Sequence, residues 1–283
     1  MVDILKKNNF DNFLVNIEKD TKVIHCANDE SFAFFAYYKY INEPQTIIIV
    51  MENLLACQNM YNKLSMMIKD NVYMYCVDEI TKFTTLATSP EMESQRIFIL
   101  NKLCENEPIV VVTHTMAMKR LTPTKQIFND KCFELKVDQE KSINHIIYDL
   151  VLLGYKNVFK VTQPFEFSTR GGVLDIFSIN YDKPIRIEFF DTLIESIRFF
   201  DEETQRTVKT TSSVKIIPAC EFLIDSLDDG VNNILSFAKK QISECKNNIK
   251  LETAINEDIN SIKTKTVSII HDRTQPKKNP VMP

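Results

Sequence analysis

From residue 22 onward, short apolar runs alternate with longer stretches of helical period. Runs at 22–25, 46–50, 72–76 and 109–113 predict four strands. Helices are predicted at 31–41, at 53–68 and from about 90 to 104. An earlier one covers 4–20, where Ile4, Phe10, Phe13, Leu14 and Ile17 share a face. Ser89-Pro90-Glu91 reads as a helix start, with a capping serine, a proline at the first position and acid in the first turn. Strands that are apolar throughout and alternate with helices imply a parallel sheet covered on both faces.

Near residue 118 the rhythm changes. Residues 133–137 alternate like a strand, and 142–153 form an amphipathic helix with Ile143, Ile146, Ile147 and Leu150 on one face and Gly154 at its end. Strand candidates at 165–177, 184–190 and 193–201 follow at hairpin spacing, which makes this block α+β with an antiparallel sheet. A strand at 214–217 ends at Pro218. Helices are then expected at about 226–245, with Val231, Ile234, Leu235, Ala238 and Ile242 as its stripe, and at 251–262. The basic stretch 271–283 contains three prolines and predicts a disordered tail or the scar of a truncation.

Composition narrows the function classes. A chain of 283 residues is long enough for two domains. The net charge of −4 argues against a whole-molecule grip on nucleic acid or membrane, while leaving a local basic patch open. The seven cysteines are odd in number, scattered and free of any CxxC pair. That pattern points to reduced thiols in a cytoplasmic protein rather than a disulfide framework or a zinc site. No signal-like segment is present, and no apolar run approaches the roughly 20 residues of a membrane helix.

The loop after the first predicted strand is where a parallel α/β domain would hold a nucleotide phosphate. Here it reads Cys26, Ala27, Asn28, Asp29, Glu30 and Ser31, with no glycine and no lysine. Two acids stand where a triphosphate would sit, so the expectation is a nucleotide-type fold without nucleotide binding. Asp78-Glu79 reads either as a solvated loop or as an acidic metal pair. His25, His114, His145 and His271 are dispersed, and no Gly-x-Ser-x-Gly occurs, so no hydrolase triad or metal site is expected.

The predicted strand at 184–190 carries more information. Alternation places Ile185, Ile187 and Phe189 on a core face, and Arg186, Glu188 and Phe190 on the other. Arg170 precedes Gly171-Gly172, which suggests a bulge or an opening of the ladder. Arginine beside an exposed aromatic is the chemistry of a protein-interface anchor. The alternative is a plain surface hairpin in which Arg186 and Glu188 pair across strands and Phe190 is core.

These residues also carry a resemblance. Phe167-Ser168-Thr169-Arg170-Gly171-Gly172-Val173-Leu174-Asp175-Ile176-Phe177, Pro184-Ile185-Arg186-Ile187-Glu188-Phe189-Phe190-Asp191 and Ile194-Glu195-Ser196-Ile197-Arg198-Phe199-Phe200-Asp201 closely resemble the UvrB-homology module. Thr204-Gln205-Arg206 and Ile217-Pro218-Ala219-Cys220-Glu221 favour the branch of bacterial transcription-repair-coupling factors. Asp78-Glu79 and Ser89-Pro90-Glu91…Arg96 are similar to the first domain of that branch, and the resemblance covers about 3–262.

The resemblance implies an α/β architecture. A degenerate RecA-like parallel-sheet domain at 1–117 would be followed by an inserted α+β UvrB-type interaction domain at 118–207. A return segment at 208–265 would pack on the first domain, before a tail at 266–283. It implies UvrA as partner, through Arg170, Arg186 and Phe190. Glu188, Gly171 and Gly172 join the possible interface on geometry. It further implies that the ATP- and magnesium-dependent motor, and the contacts to RNA polymerase and DNA, lie in regions absent from this sequence. The chain itself is then a non-catalytic recruiting module without cofactor, metal or membrane association. The alternative is a UvrB-like helicase fragment that binds nucleotide and DNA.

Overall fold

The structure is a computed structural model. It describes residues 26, 28–77, 90–224 and 227–244, together with 253, 255–257 and 260. The chain divides into two compact units between Arg120 and Leu121.

In the first unit, α1 (Asp29–Asn42) is capped by Asn28, whose side chain accepts from the Ser31 backbone N–H. It is followed by β1 (Ile47–Met51), α2 (Leu54–Met67), β2 (Val72–Tyr75), α3 (Pro90–Cys104), β3 (Val110–His114) and the short α4 (Thr115–Met118). Asn53 caps α2 in the same way. The three strands are parallel in the order β1-β3-β2, as their continuous apolar runs predict. Ala33 and Ala36 of α1 and Met60 and Leu64 of α2 bury one face with Ile49, Val110 and Val112. Ile99 and Ala117 cover Tyr75 and Val111 on the other.

The expected coverage of both faces holds for β3, which is buried at every position, but not for β1. Among the described strands β1 is at the sheet edge, and its Ile48 and Val50 are 53% and 47% exposed. The predicted helix at 4–20, the strand at 22–25 and Asp78-Glu79 lie outside the described residues.

The second unit opens with α5 (Lys125–Lys131) and β4 (Phe133–Lys136). Then come α6 (Ile143–Leu152), β5 (Lys156–Asn157), β6 (Glu166–Arg170), β7 (Val173–Ile176), β8 (Ile185–Phe190), β9 (Leu193–Phe200), β10 (Thr207–Thr211), β11 (Ser213–Ile216) and α7 (Leu227–Glu244). Strands β10-β9-β8-β7-β6-β5 form one sheet, antiparallel except for the β5–β6 pair. Ile146, Leu150 and Val151 of α6 share a core with Phe167, Leu174, Ile185, Ile187 and Ile197. One face of the sheet is thus apolar, and the other is left for polar side chains. Gly154 closes α6 at φ +93°, a conformation that L side chains rarely adopt.

Three expectations are corrected here. Residues 165–177 are not one strand but two, β6 and β7, which pair Arg170 with Val173 around a two-residue turn. Gly171-Gly172 is therefore a hairpin turn, with Gly171 at φ +60°, rather than a bulge; the register shift lies between Glu188 and Phe189. Strand β10 is absent from the sequence reading because its five positions, Thr-Val-Lys-Thr-Thr, are exposed or nearly so and carry no apolar alternation. Residues 208–217 do not leave for the first unit. Thr210 pairs with Arg198, and Val214 pairs with Leu135 of β4, so a domain border at 207 would cut a sheet. The buried Tyr155 hydroxyl fastens this arrangement, lying 2.9 Å from both the Ser178 hydroxyl and the Ile217 carbonyl. Most of the predicted helix at 251–262, and the tail at 266–283, lie outside the described residues.

Candidate protein-docking site

Strand β8 alternates as its sequence demands. Ile185, Ile187 and Phe189 are buried, Arg186 and Glu188 are half-buried, and Phe190 is 71% exposed. On the polar face Arg186 stands opposite Asp175 of β7 and Arg198 of β9, while Glu188 stands opposite Val173 and Ser196.

Arg186 holds Asp175 in a two-pronged bridge, Nε to Oδ1 and Nη2 to Oδ2, each 2.7 Å. Its Nη2 also donates to Gln205 Oε1 at 2.8 Å, and its guanidinium lies 4.3 Å from the Phe200 ring centroid. Arg198 turns the other way, donating from Nη1 to Glu188 Oε2 at 2.8 Å, and Ser196 Oγ donates to the same oxygen at 2.8 Å. These donors, Arg198 first, hold the Glu188 carboxyl below its ordinary range. Arg186 and Glu188 thus make the cross-strand pairs that the plain-hairpin reading expects, but Phe190 is not core.

Arg170 ends β6 and is exposed. Its Nη2 donates to the Phe159 carbonyl at 2.6 Å, and its guanidinium lies 4.3 Å from the Phe159 ring centroid. Phe159 as a residue is 56% exposed. Gly171 faces open space, whereas a Cβ on Gly172 would lie 2.7 Å from the Phe189 carbonyl oxygen. Gly172 is therefore where β8 approaches the turn most closely, and its carbonyl accepts the Phe189 N–H at 2.7 Å.

Arg170, Arg186 and Glu188 border a shallow depression of about 270 Å³. Asp175, Arg198, Gln205 and Phe159 were missed from the sequence. For Asp175 and Arg198 a signal existed, because strand alternation puts both on the face of Arg186. For Gln205 and Phe159, which stand in connecting loops, no periodicity was available.

The start of α1 in the first unit is acidic, with Asp29 and Glu30 in its first turn. Lys63 Nζ sits 2.8 Å from Glu30 Oε1 and 3.5 Å from Asp29 Oδ2, so the helix start is occupied by acids and their own cation. The Lys63 ammonium depresses the Glu30 pKa. Ser31 serves the Asn28 cap, Cys26 is exposed and Ala27 lies outside the described residues. Among the described residues no cluster of His, Cys, Asp and Glu could hold a metal ion, and no helix is long and apolar enough to cross a membrane.

Residues 133–222 match the UvrB interaction domain family. The match runs from β4 past β11, the same strands that pair into the second unit. The chain is 33% identical over 184 residues to a transcription-repair-coupling factor of Bacillus subtilis, covering 65% of this chain and 16% of that protein. It is 28% identical over 222 residues to the factor of that name from Staphylococcus epidermidis, covering 78% of this chain and 19% of the relative. A Staphylococcus aureus factor of the same name is 28% identical over 224 residues, with the same coverage of 78% and 19%. The chain thus spans less than a fifth of the length of these relatives. Residues 133–222 are thus similar to the UvrB interaction domain, in a chain similar to part of the transcription-repair-coupling factors.

Proposed function

We propose that this chain is the UvrA-recruiting, non-catalytic part of a transcription-repair-coupling factor, acting in transcription-coupled nucleotide excision repair. The observation that carries the proposal is the pairing of exposed Phe190 with the arginine-bearing face of the UvrB interaction domain. Large exposed aromatics next to arginine mark interface anchors, because each desolvates a wide area at low entropic cost. Arg170, Arg186 and Phe190 are the contact residues, and Glu188, Gly171 and Gly172 support them through the hairpin geometry.

The first unit serves as a nucleotide-type, RecA-like scaffold that has lost its phosphate loop, as the Asp29-Glu30-Lys63 arrangement suggests. ATP, magnesium, RNA polymerase and DNA are engaged by other parts of the full factor, in the cytoplasm. A UvrA pull-down tests the proposal. The unaltered chain retains UvrA, and Arg186→Ala and Phe190→Ala each weaken retention by about 1–3 kcal/mol without unfolding. Retention of UvrA by both variants at the unaltered level would refute it.

A further inference from the structure

We infer that Phe159 and Arg170 together form the charged contact point of this face, and that it fits a partner surface presenting a carboxylate beside an apolar group. The inference deepens the UvrA-docking reading and rests on it.

The three guanidiniums of the face are not equivalent. Arg186 is matched to Asp175, and Arg198 to Glu188. Arg170 has no carboxylate partner among the described residues. Among the described residues Arg170 is thus the guanidinium of this face left without a carboxylate, in a chain whose net charge is −4.

Phe159 prepares that charge for use. Its carbonyl accepts from Arg170 at 2.6 Å and from Ser168 Oγ at 3.0 Å, which ties the loop to the end of β6. Its ring lies beneath the guanidinium at 4.3 Å. A guanidinium held over a ring and tied to its carbonyl has fewer rotamers to lose, and its remaining N–H groups stay available to a carboxylate. Phe159 is half exposed, so it also offers apolar area to whatever pairs with the charge.

Strands β6 and β8 run in the same direction on either side of β7, so Arg170 and Phe190 lie at the same end of the sheet. Arg170 is in register with Glu188, so Phe190 lies two strand spacings across and two residues along, roughly 12 Å away. This end of the sheet therefore presents an aromatic-backed cation and, two strands away, a second exposed aromatic. That combination suits an acidic residue flanked by apolar ones.

The test is the affinity of the whole chain for UvrA at low and at high salt, with melting temperatures as a check on folding. Arg170→Gln is expected to lower the low-salt affinity roughly tenfold and to flatten its salt dependence, because an exposed interface charge acts through long-range attraction. Phe159→Leu keeps an apolar side chain but removes the platform. It is expected to lower affinity while leaving the salt dependence in place, and to add little to Arg170→Gln in the double variant. Unaltered affinity and salt dependence in Arg170→Gln, or effects of the two changes that simply add, would overturn the inference and leave the docking reading standing. Failure of the unaltered chain to bind UvrA would overturn both.

Discussion

Arg186 and Arg198 stand directly opposite one another across β8 and β9, and each escapes the other by turning to a different carboxylate. Like charges so placed are destabilising unless matched. Asp175 on one side and Glu188 on the other supply the match. The polar face of the sheet is thus a lattice in which a change at one position leaves a neighbour uncompensated.

The Asp175–Arg186 pair is part-buried and joined by two hydrogen bonds. Asp175→Ala is expected to lower unfolding free energy by about 1–3 kcal/mol, because Arg186 is left facing Arg198 without its partner. Asp175→Ala/Arg186→Ala should cost less than the sum of the single changes. Urea unfolding of the four proteins measures the coupling, and additive costs would show that the pair contributes nothing jointly.

The pH dependence follows from Glu188. Its folded pKa is depressed below the ordinary 4.5, first by Arg198 and then by Ser196. Its contribution is therefore present above the unfolded value and is lost as pH falls through the folded one. The melting temperature should drop with acidification below about 4.5, and Glu188→Gln should lessen that drop. An identical acid profile in Glu188→Gln would exclude this origin.

The two turn glycines differ in why they are needed. Gly171 has φ +60° but open surroundings, so Gly171→Ala is expected to cost about 1 kcal/mol for the left-handed backbone alone. Gly172→Ala places a Cβ 2.7 Å from the Phe189 carbonyl oxygen and must push β8 away, at about 2 kcal/mol or more. Thermal unfolding should rank Gly172→Ala below Gly171→Ala.

Much of this was legible in the sequence because periodicity reports burial. Ile185, Ile187 and Phe189 announced an inner face, and the structure buries all three. Asn53 and Ser89-Pro90 marked helix starts that α2 and α3 respect within a residue. What failed was local chemistry with more than one solution. Two adjacent glycines permit a bulge or a turn, and only the pairing of Arg170 with Val173 decides. Strand β10 carries no period, being held by its neighbour's backbone rather than by burial. Strand β11 has a clear period, but the period does not say which strand it joins. At the site, alternation placed Arg186 outward but could not show that Asp175 and Gln205 already hold it.

ATP with magnesium should not raise the melting temperature of this chain, since Lys63 neutralises acids rather than phosphates at the start of α1. A saturable upward shift at micromolar nucleotide would overturn the reading of that loop.

The polar face of the second unit is proposed to dock UvrA through Phe190 and its neighbouring arginines. Isothermal titration calorimetry of UvrA against the unaltered chain and against Phe190→Ala tests it most directly. Phe190 is 71% exposed, so its truncation should leave the melting temperature unchanged while weakening binding by about 1–3 kcal/mol. Equal affinity of the two proteins for UvrA, or no binding by either, would contradict the claim.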